Sequence, residues 1–304
     1  MVTTSGGSPD GKPPTTVRKR VIEKKPKSKL VSPKRQIRST VRFLLADCST
    51  SEDDIAPTTF HEFSWYDIKK GTRNFSAQIG SGGFSTVYLA SLPDFGLTAV
   101  KIQSTCTQRL AQIHDHELQV FTRLKNLNIA KFLGHCSNDS EQERALLFEF
   151  ASNDTLHERL DHHNLTWKTR TAIAFQLASA MEYLHGINII HADIKSSNIL
   201  LDQDLNCKLC DFGSAKLGFA SMVLPPSSTK MNRMITGSQG YVDPNYLKPD
   251  WFQTRMMYSF GVVLLELITG REAFSLERGE KLTEMMGAVV NGTVGVEEVM
   301  DPRL

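Results

Sequence analysis

His191-Ala192-Asp193-Ile194-Lys195-Ser196-Ser197-Asn198, followed further on by Asp211-Phe212-Gly213, is the stretch whose reading decides the fold of this 304-residue chain. It sets a carboxylate able to take up a proton, Asp193, two residues before an ammonium, Lys195. Asn198 and Asp211 add two oxygen donors of the hard kind that a small divalent cation prefers. Any one of these residues alone is ordinary turn chemistry, because Asp and Asn hydrogen-bond their own backbone in loops. Four in register form a constellation. Phosphoryl transfer needs positioning and charge neutralisation more than covalent chemistry, and this set supplies both.

Working outward, Ile79-Gly80-Ser81-Gly82-Gly83-Phe84-Ser85-Thr86-Val87 reads as two strands joined by a glycine-rich turn. Its glycines let a backbone approach phosphate oxygens closely. A glycine-rich hairpin alone is a weak signal. Next comes Thr98-Ala99-Val100-Lys101-Ile102, an apolar strand interrupted by one lysine. The bland account is an edge-strand lysine pointing to water. The sharper one is a lysine that holds nucleotide phosphates and needs an anionic partner to fix it. Glu117 supplies that partner, in a segment over 116–124 where Leu118, Phe121 and Leu124 recur at helical spacing.

With these pieces in order, the chain resembles the eukaryotic protein kinases, specifically the plant receptor-like Ser/Thr kinases and their cytoplasmic relatives. The resemblance implies an α+β, bilobal fold, with a small β-rich lobe over 59–150 and a larger, mainly helical lobe over 151–304. It implies ATP and Mg2+ as cofactors and a protein carrying Ser or Thr as substrate. Asp193 would orient the substrate hydroxyl and accept its proton, and Lys195 would meet the γ-phosphate. Asn198 and Asp211 would hold the metal. Nucleotide binding would fall to Ile79, Gly80, Ser81, Gly82, Gly83, Phe84, Val87, Ala99, Lys101, Glu117, Phe148, Glu149, Ala151 and Leu200. Phe148 would guard the back of the pocket, and the backbone from Glu149 to Ala151 would bind the adenine edge. Leu165 to His185 reads as a core helix leading into the catalytic loop.

The same resemblance marks the segment after Asp211, with Ser227, Ser228, Thr229, Thr236 and Ser238, as an activation loop, and puts Ser238 opposite Asp193. Three positions depart from the pattern. Ala192 replaces an arginine that binds a phosphorylated activation loop, so a charge-assisted contact is lost. Asn245 replaces a glutamate that pairs with a late arginine. Met256 falls where an aspartate braces the catalytic loop. A lost hydrogen bond to a charged group costs roughly 1.5–3 kcal/mol, or about ten- to a hundredfold in rate. The defects therefore predict a slow kinase, with a nucleotide-binding scaffold of little turnover as the alternative. The chain also stops at Leu304, where family members continue into further helices.

Composition adds a strong charge asymmetry. Residues 1–42 carry twelve Lys and Arg against Asp10 and Glu23, a net of +10 in a chain whose total is +2, so the remainder carries −8. Gly, Pro, Ser and Thr crowd the first sixteen residues, and no helical period follows, so 1–58 reads as a disordered basic tail. Three uses for it stay open: a solvated arm, attraction to an anionic membrane surface, or a nuclear-import patch. No aromatic residue interleaves the charges before Phe43, so no nucleic-acid partner is expected. Neither a signal peptide nor a spanning segment is evident. The expected location is cytoplasmic, peripheral to the plasma membrane if the tail binds lipid, with an upstream receptor kinase as a further partner. Five cysteines with no tight framework suit a reducing compartment. Cys207-Lys208-Leu209-Cys210 reads as strand packing, since no second pair supports zinc.

Overall fold

A computed structural model describes residues 60–83, 85–104, 107–138, 143–162, 165–218, 237–244 and 252–304. The basic tail, Phe84, Asn245, and Ser227, Ser228, Thr229 and Thr236 lie outside this set.

The first half builds one six-stranded sheet from β1 (His61–Glu62), β2 (Gln78–Ser81), β3 (Ser85–Leu92), β4 (Gly96–Ser104), β5 (Phe132–Asn138) and β6 (Glu143–Glu149), in the order β1-β5-β6-β4-β3-β2. Only β1 runs parallel to its neighbour; the other pairs are antiparallel. β1 can lie beside β5 because residue 134 is glycine: a Cβ there would stand 1.9 Å from the His61 carbonyl oxygen. Alternation along the strands gives the sheet two apolar faces. Val100, Ala145 and Leu147 point to one side, where helix α1 (Trp65–Gly71) covers them with Phe63 and Ile68. Leu146 and Phe148 point to the other, against α2 (Gln108–Phe121) and the second half of the chain.

Helix α2 is longer at its start than the sequence reading of 116–124 and ends before Leu124. The reason is local: Thr107 caps it, its hydroxyl accepting from the Leu110 N–H. Lys101 is therefore on no edge. β4 sits between β3 and β6, with Val87 and Leu146 as its cross-strand neighbours.

The second half is mainly helical. After α3 (Leu156–His162) comes α4 (Trp167–Gly186), capped by Thr166 and burying Ile173, Leu177, Ala180, Met181 and Leu184 along one stripe. It leads into β7 (Ile189–Ile190), β8 (Ile199–Leu201), β9 (Cys207–Leu209) and β10 (Lys216–Leu217), paired as β8–β9 and β7–β10. α5 (Phe252–Thr269), a short β11–β12 hairpin (Phe274–Ser275 and Glu280–Lys281), α6 (Leu282–Val290) and α7 (Val296–Val299) complete it. A fully buried guanidinium ties the far end together. Arg170 donates to the Leu165 and Leu267 carbonyls and pairs with Asp301, and this satisfaction is what allows the charge to be buried.

Candidate active site

Two polar clusters meet where the sheet faces the helical half. The first centres on Lys101. Its Nζ lies 2.7 Å from Glu117 Oε1 and 2.8 Å from Asp211 Oδ1. Strand β4 supplies the lysine and helix α2 the glutamate. The aspartate comes from the turn after β9, where Asp211 adopts a left-handed backbone with φ 61°. That conformation costs energy for most residues and is most tolerable for Asp and Asn. Burial disfavours the Lys101 ammonium, but the Glu117 and Asp211 carboxylates outweigh it and hold its pKa above the ordinary value. Burial likewise works against the Asp211 carboxylate, and Lys101 more than compensates, so the Asp211 pKa lies below its usual range.

The second cluster centres on Asp193. Its Oδ1 accepts from the Ser238 hydroxyl at 2.8 Å, and its Oδ2 from Lys195 at 2.8 Å and from Asn198 Nδ2 at 3.1 Å. Lys195 also donates to Ser238 at 2.9 Å. The two clusters are stitched together by backbone. The Cys210 N–H donates to the Asn198 carbonyl, which sets the residue before Asp211 beside the end of the catalytic loop. His191 completes the seam: its Nε2–H donates to the Cys210 carbonyl and its Nδ1 accepts from the Asp193 N–H. With one nitrogen giving and one receiving, the ring is neutral, as burial also favours.

Behind the ion pair runs an aromatic column. Phe212 is fully buried and packs edge-on against both Phe121 of α2 and His191. Phe121 in turn contacts Phe132 and Phe148. Such pairs add to apolar burial and couple helix, sheet and catalytic loop. Sequence places Phe148 at the pocket; the column joining it to Phe212 has no local signature, because its members lie on five separate elements.

The remaining predicted residues lie as follows. Ile79, Gly80 and Ser81 are on β2, and Gly82 closes the turn through its N–H to the Ser85 carbonyl at 2.7 Å. Val87 stands opposite Lys101, and Ala99 opposite both Leu89 and Phe148. Leu200 lies on β8, bridged to Thr155. Glu149 ends β6: its N–H donates to the Lys131 carbonyl, and its carboxylate pairs with Lys208 and accepts from the Lys131 N–H. Ala151 follows in the connector to α3.

Two supports of the catalytic loop concern the departures. Ala192 has a left-handed backbone, φ 64°. The sulfur of buried Met256 accepts the His191 N–H at 3.2 Å, so a weak neutral acceptor fills the bracing position. On the other side, buried Glu266 receives the Ser196 and Tyr241 hydroxyls on Oε1 at 2.9 and 2.7 Å. Burial pushes its carboxyl up to about 7. Among the described residues no helix is long and apolar enough to cross a membrane.

The donor set can be tested for a metal. Asn198 uses its amide nitrogen on Asp193, and among the described residues neither Asn198 Oδ1 nor Asp211 Oδ2 accepts a protein hydrogen bond. Two available hard oxygens fit magnesium, which takes few protein ligands beside water and phosphate oxygens.

A carboxylate-braced lysine joined through the backbone to an aspartate–lysine–asparagine loop defines a phosphotransferase of the kinase class. Comparison with known proteins agrees: residues 73–298 match the protein kinase domain, and the chain belongs to that family. It is 44% identical to a probable receptor-like protein kinase of Arabidopsis thaliana, over 79% of this chain and 75% of that one. It is 42% identical to salt tolerance receptor-like cytoplasmic kinase 1 of Oryza sativa subsp. japonica, over 83% of this chain and 71% of the relative. Among solved structures it is similar in fold to an apo pseudokinase, with TM-score 0.59 and 20% identity over 81% of this chain and 82% of that one.

Proposed function

We propose that this protein kinase transfers the terminal phosphoryl group of Mg-ATP to Ser or Thr hydroxyls of a protein substrate. The observation that carries the reading is the pairing of Lys101 with both Glu117 and Asp211, alongside an Asp193 that holds Lys195 and Asn198. Asp193 accepts the proton of the attacking hydroxyl. As the new O–P bond forms and the bond to the leaving ADP breaks, Lys195 offsets charge on the phosphoryl oxygens. Lys101 holds the α- and β-phosphates, and Glu117 keeps its ammonium directed. Asn198 and Asp211 hold magnesium, which when bound neutralises phosphate charge. The glycine-rich turn and Val87, Ala99 and Leu200 enclose the nucleotide, with Phe148 behind it and the backbone of Glu149 to Ala151 at its adenine edge. Lys195 at this loop position supports the preference for Ser and Thr. We divide the chain into a basic tail over 1–58 and lobes over 59–150 and 151–304.

The similarity to a receptor-like cytoplasmic kinase supports a place in plant receptor-proximal signalling, with an upstream receptor kinase as partner. The +10 tail supports peripheral attachment to an anionic membrane from the cytoplasmic side.

The test is radiolabel transfer from ATP to a generic protein substrate and to the chain itself, with Asp193→Asn as control. The variant is expected to lose at least about a hundredfold in rate, the usual contribution of a positioned proton acceptor. Equal signal from both proteins removes the assignment.

A further inference from the structure

The Lys101–Glu117 pair has a second layer. On β4, Lys101 and Gln103 are two residues apart and so share a face. On α2, His114 and Glu117 are three apart and so share one too. The four side chains meet across the gap. Lys101 takes Glu117 Oε1, and Gln103 Nε2 donates to Glu117 Oε2 at 2.8 Å. His114 Nδ1 lies 2.5 Å from Gln103 Oε1.

The directions of these bonds follow from the chemistry of the groups. Glu117 as carboxylate only accepts, so the Gln103 amide must turn its NH2 toward it. That leaves the Gln103 carbonyl facing His114, whose Nδ1 must therefore carry the proton. Burial, with Arg144 next, holds the His114 pKa at about 4, so its ring is neutral near pH 7. Glu117, His114 and Gln103 are all buried. A buried amide and imidazole are costly unless satisfied, and apolar side chains would fill the same space in a sheet–helix contact.

We propose that Gln103 and His114 are positioning residues for the nucleotide lysine, a strut that holds Glu117 Oε2, the carboxylate oxygen not taken by Lys101, so that α2 stays docked and Lys101 stays aimed. Two outer ties flank the strut: Arg144 pairs with Asp115, and His116 donates to the Ala215 carbonyl at 2.8 Å. The docked helix thus rests on contacts within its own lobe and with residues 212 and 215, none of them through Ala192. The inference rests on the nucleotide-binding reading of Lys101 but not on turnover.

The experiment measures the Kd for Mg-ATP by calorimetry on the folded full chain, beside kcat/KM where transfer occurs. Gln103→Met is expected to weaken ATP binding about tenfold or more, the range for loss of a hydrogen bond to a charged group. His114→Phe, which keeps the ring volume and removes the N–H, is expected to give a smaller loss of the same kind. In a Glu117→Gln background the Gln103→Met effect should largely vanish, because the carboxylate it steadies is gone. A Gln103→Met protein that melts lower but binds ATP as the parent does overturns the proposal. So do losses that multiply fully in the double variant. A parent that binds ATP without transferring phosphate fails the kinase assignment and leaves this comparison readable.

Discussion

The two polar clusters of the site are braced unequally. At the proposed nucleotide end, Lys101 has two carboxylates, Glu117 has both oxygens occupied, and Gln103 is itself held by His114. At the loop end, Asp193, Lys195 and Asn198 are in mutual contact while the scaffold beneath them is lighter. A methionine sulfur receives the His191 N–H, and residue 192 offers no cation. The difference separates two questions. Which reaction the site performs depends on the groups that face phosphate and hydroxyl. How fast it runs depends on what holds them, and here the weaker support lies under Asp193, the proposed proton acceptor.

Cutting one brace at each end has the largest expected effect. Lys101→Met leaves the buried Glu117 carboxylate without its cation, which should cost about 3–5 kcal/mol of stability. Met256→Leu removes only a weak acceptor from one buried N–H and should cost about 1–3 kcal/mol. Chemical unfolding of the two variants beside the parent checks the ranking; equal losses would erase the asymmetry.

A smaller effect comes from pH, with opposite sign at the two ends. His114 titrates at about 4 folded against an ordinary 6.5, so the unfolded chain binds more protons across that window. Its contribution is present above pH 6.5 and lost as pH falls toward 4. Glu266 titrates at about 7 folded against 4.5, so the folded chain holds more protons there, and its contribution is lost as pH rises from 4.5 to 7. Melting temperatures of His114→Phe and Glu266→Gln, each minus the parent, should therefore slope in opposite directions between pH 4.5 and 6.5. Parallel curves would contradict the assignment.

Most of the site could be read from sequence because its chemistry lies in short runs: the loop around Asp193, the Asp211 turn and the strand bearing Lys101. Glu117 was found by matching a helix pattern, though the helix start at Gln108 was missed because Thr107 is a capping signal outside the apolar period. What stayed hidden has no sequence-local signature. Gln103 and His114 are unremarkable polar residues until β4 and α2 face each other. Glu266 hides within an apolar helix, and the Arg170–Asp301 pair joins residues far apart in the chain. Met256 could be placed beneath the catalytic loop, but its use of sulfur as an acceptor is a property of the packed structure.

The most direct test of the central claim, a complete phosphoryl-transfer site resting on a weakened loop, is steady-state kinetics of Met256→Asp. A carboxylate accepts the His191 N–H more strongly than sulfur does, so kcat should rise by up to about tenfold while the KM for ATP stays that of the parent. A folded Met256→Asp protein with unchanged kcat, or one whose gain appears in the KM for ATP, would contradict it.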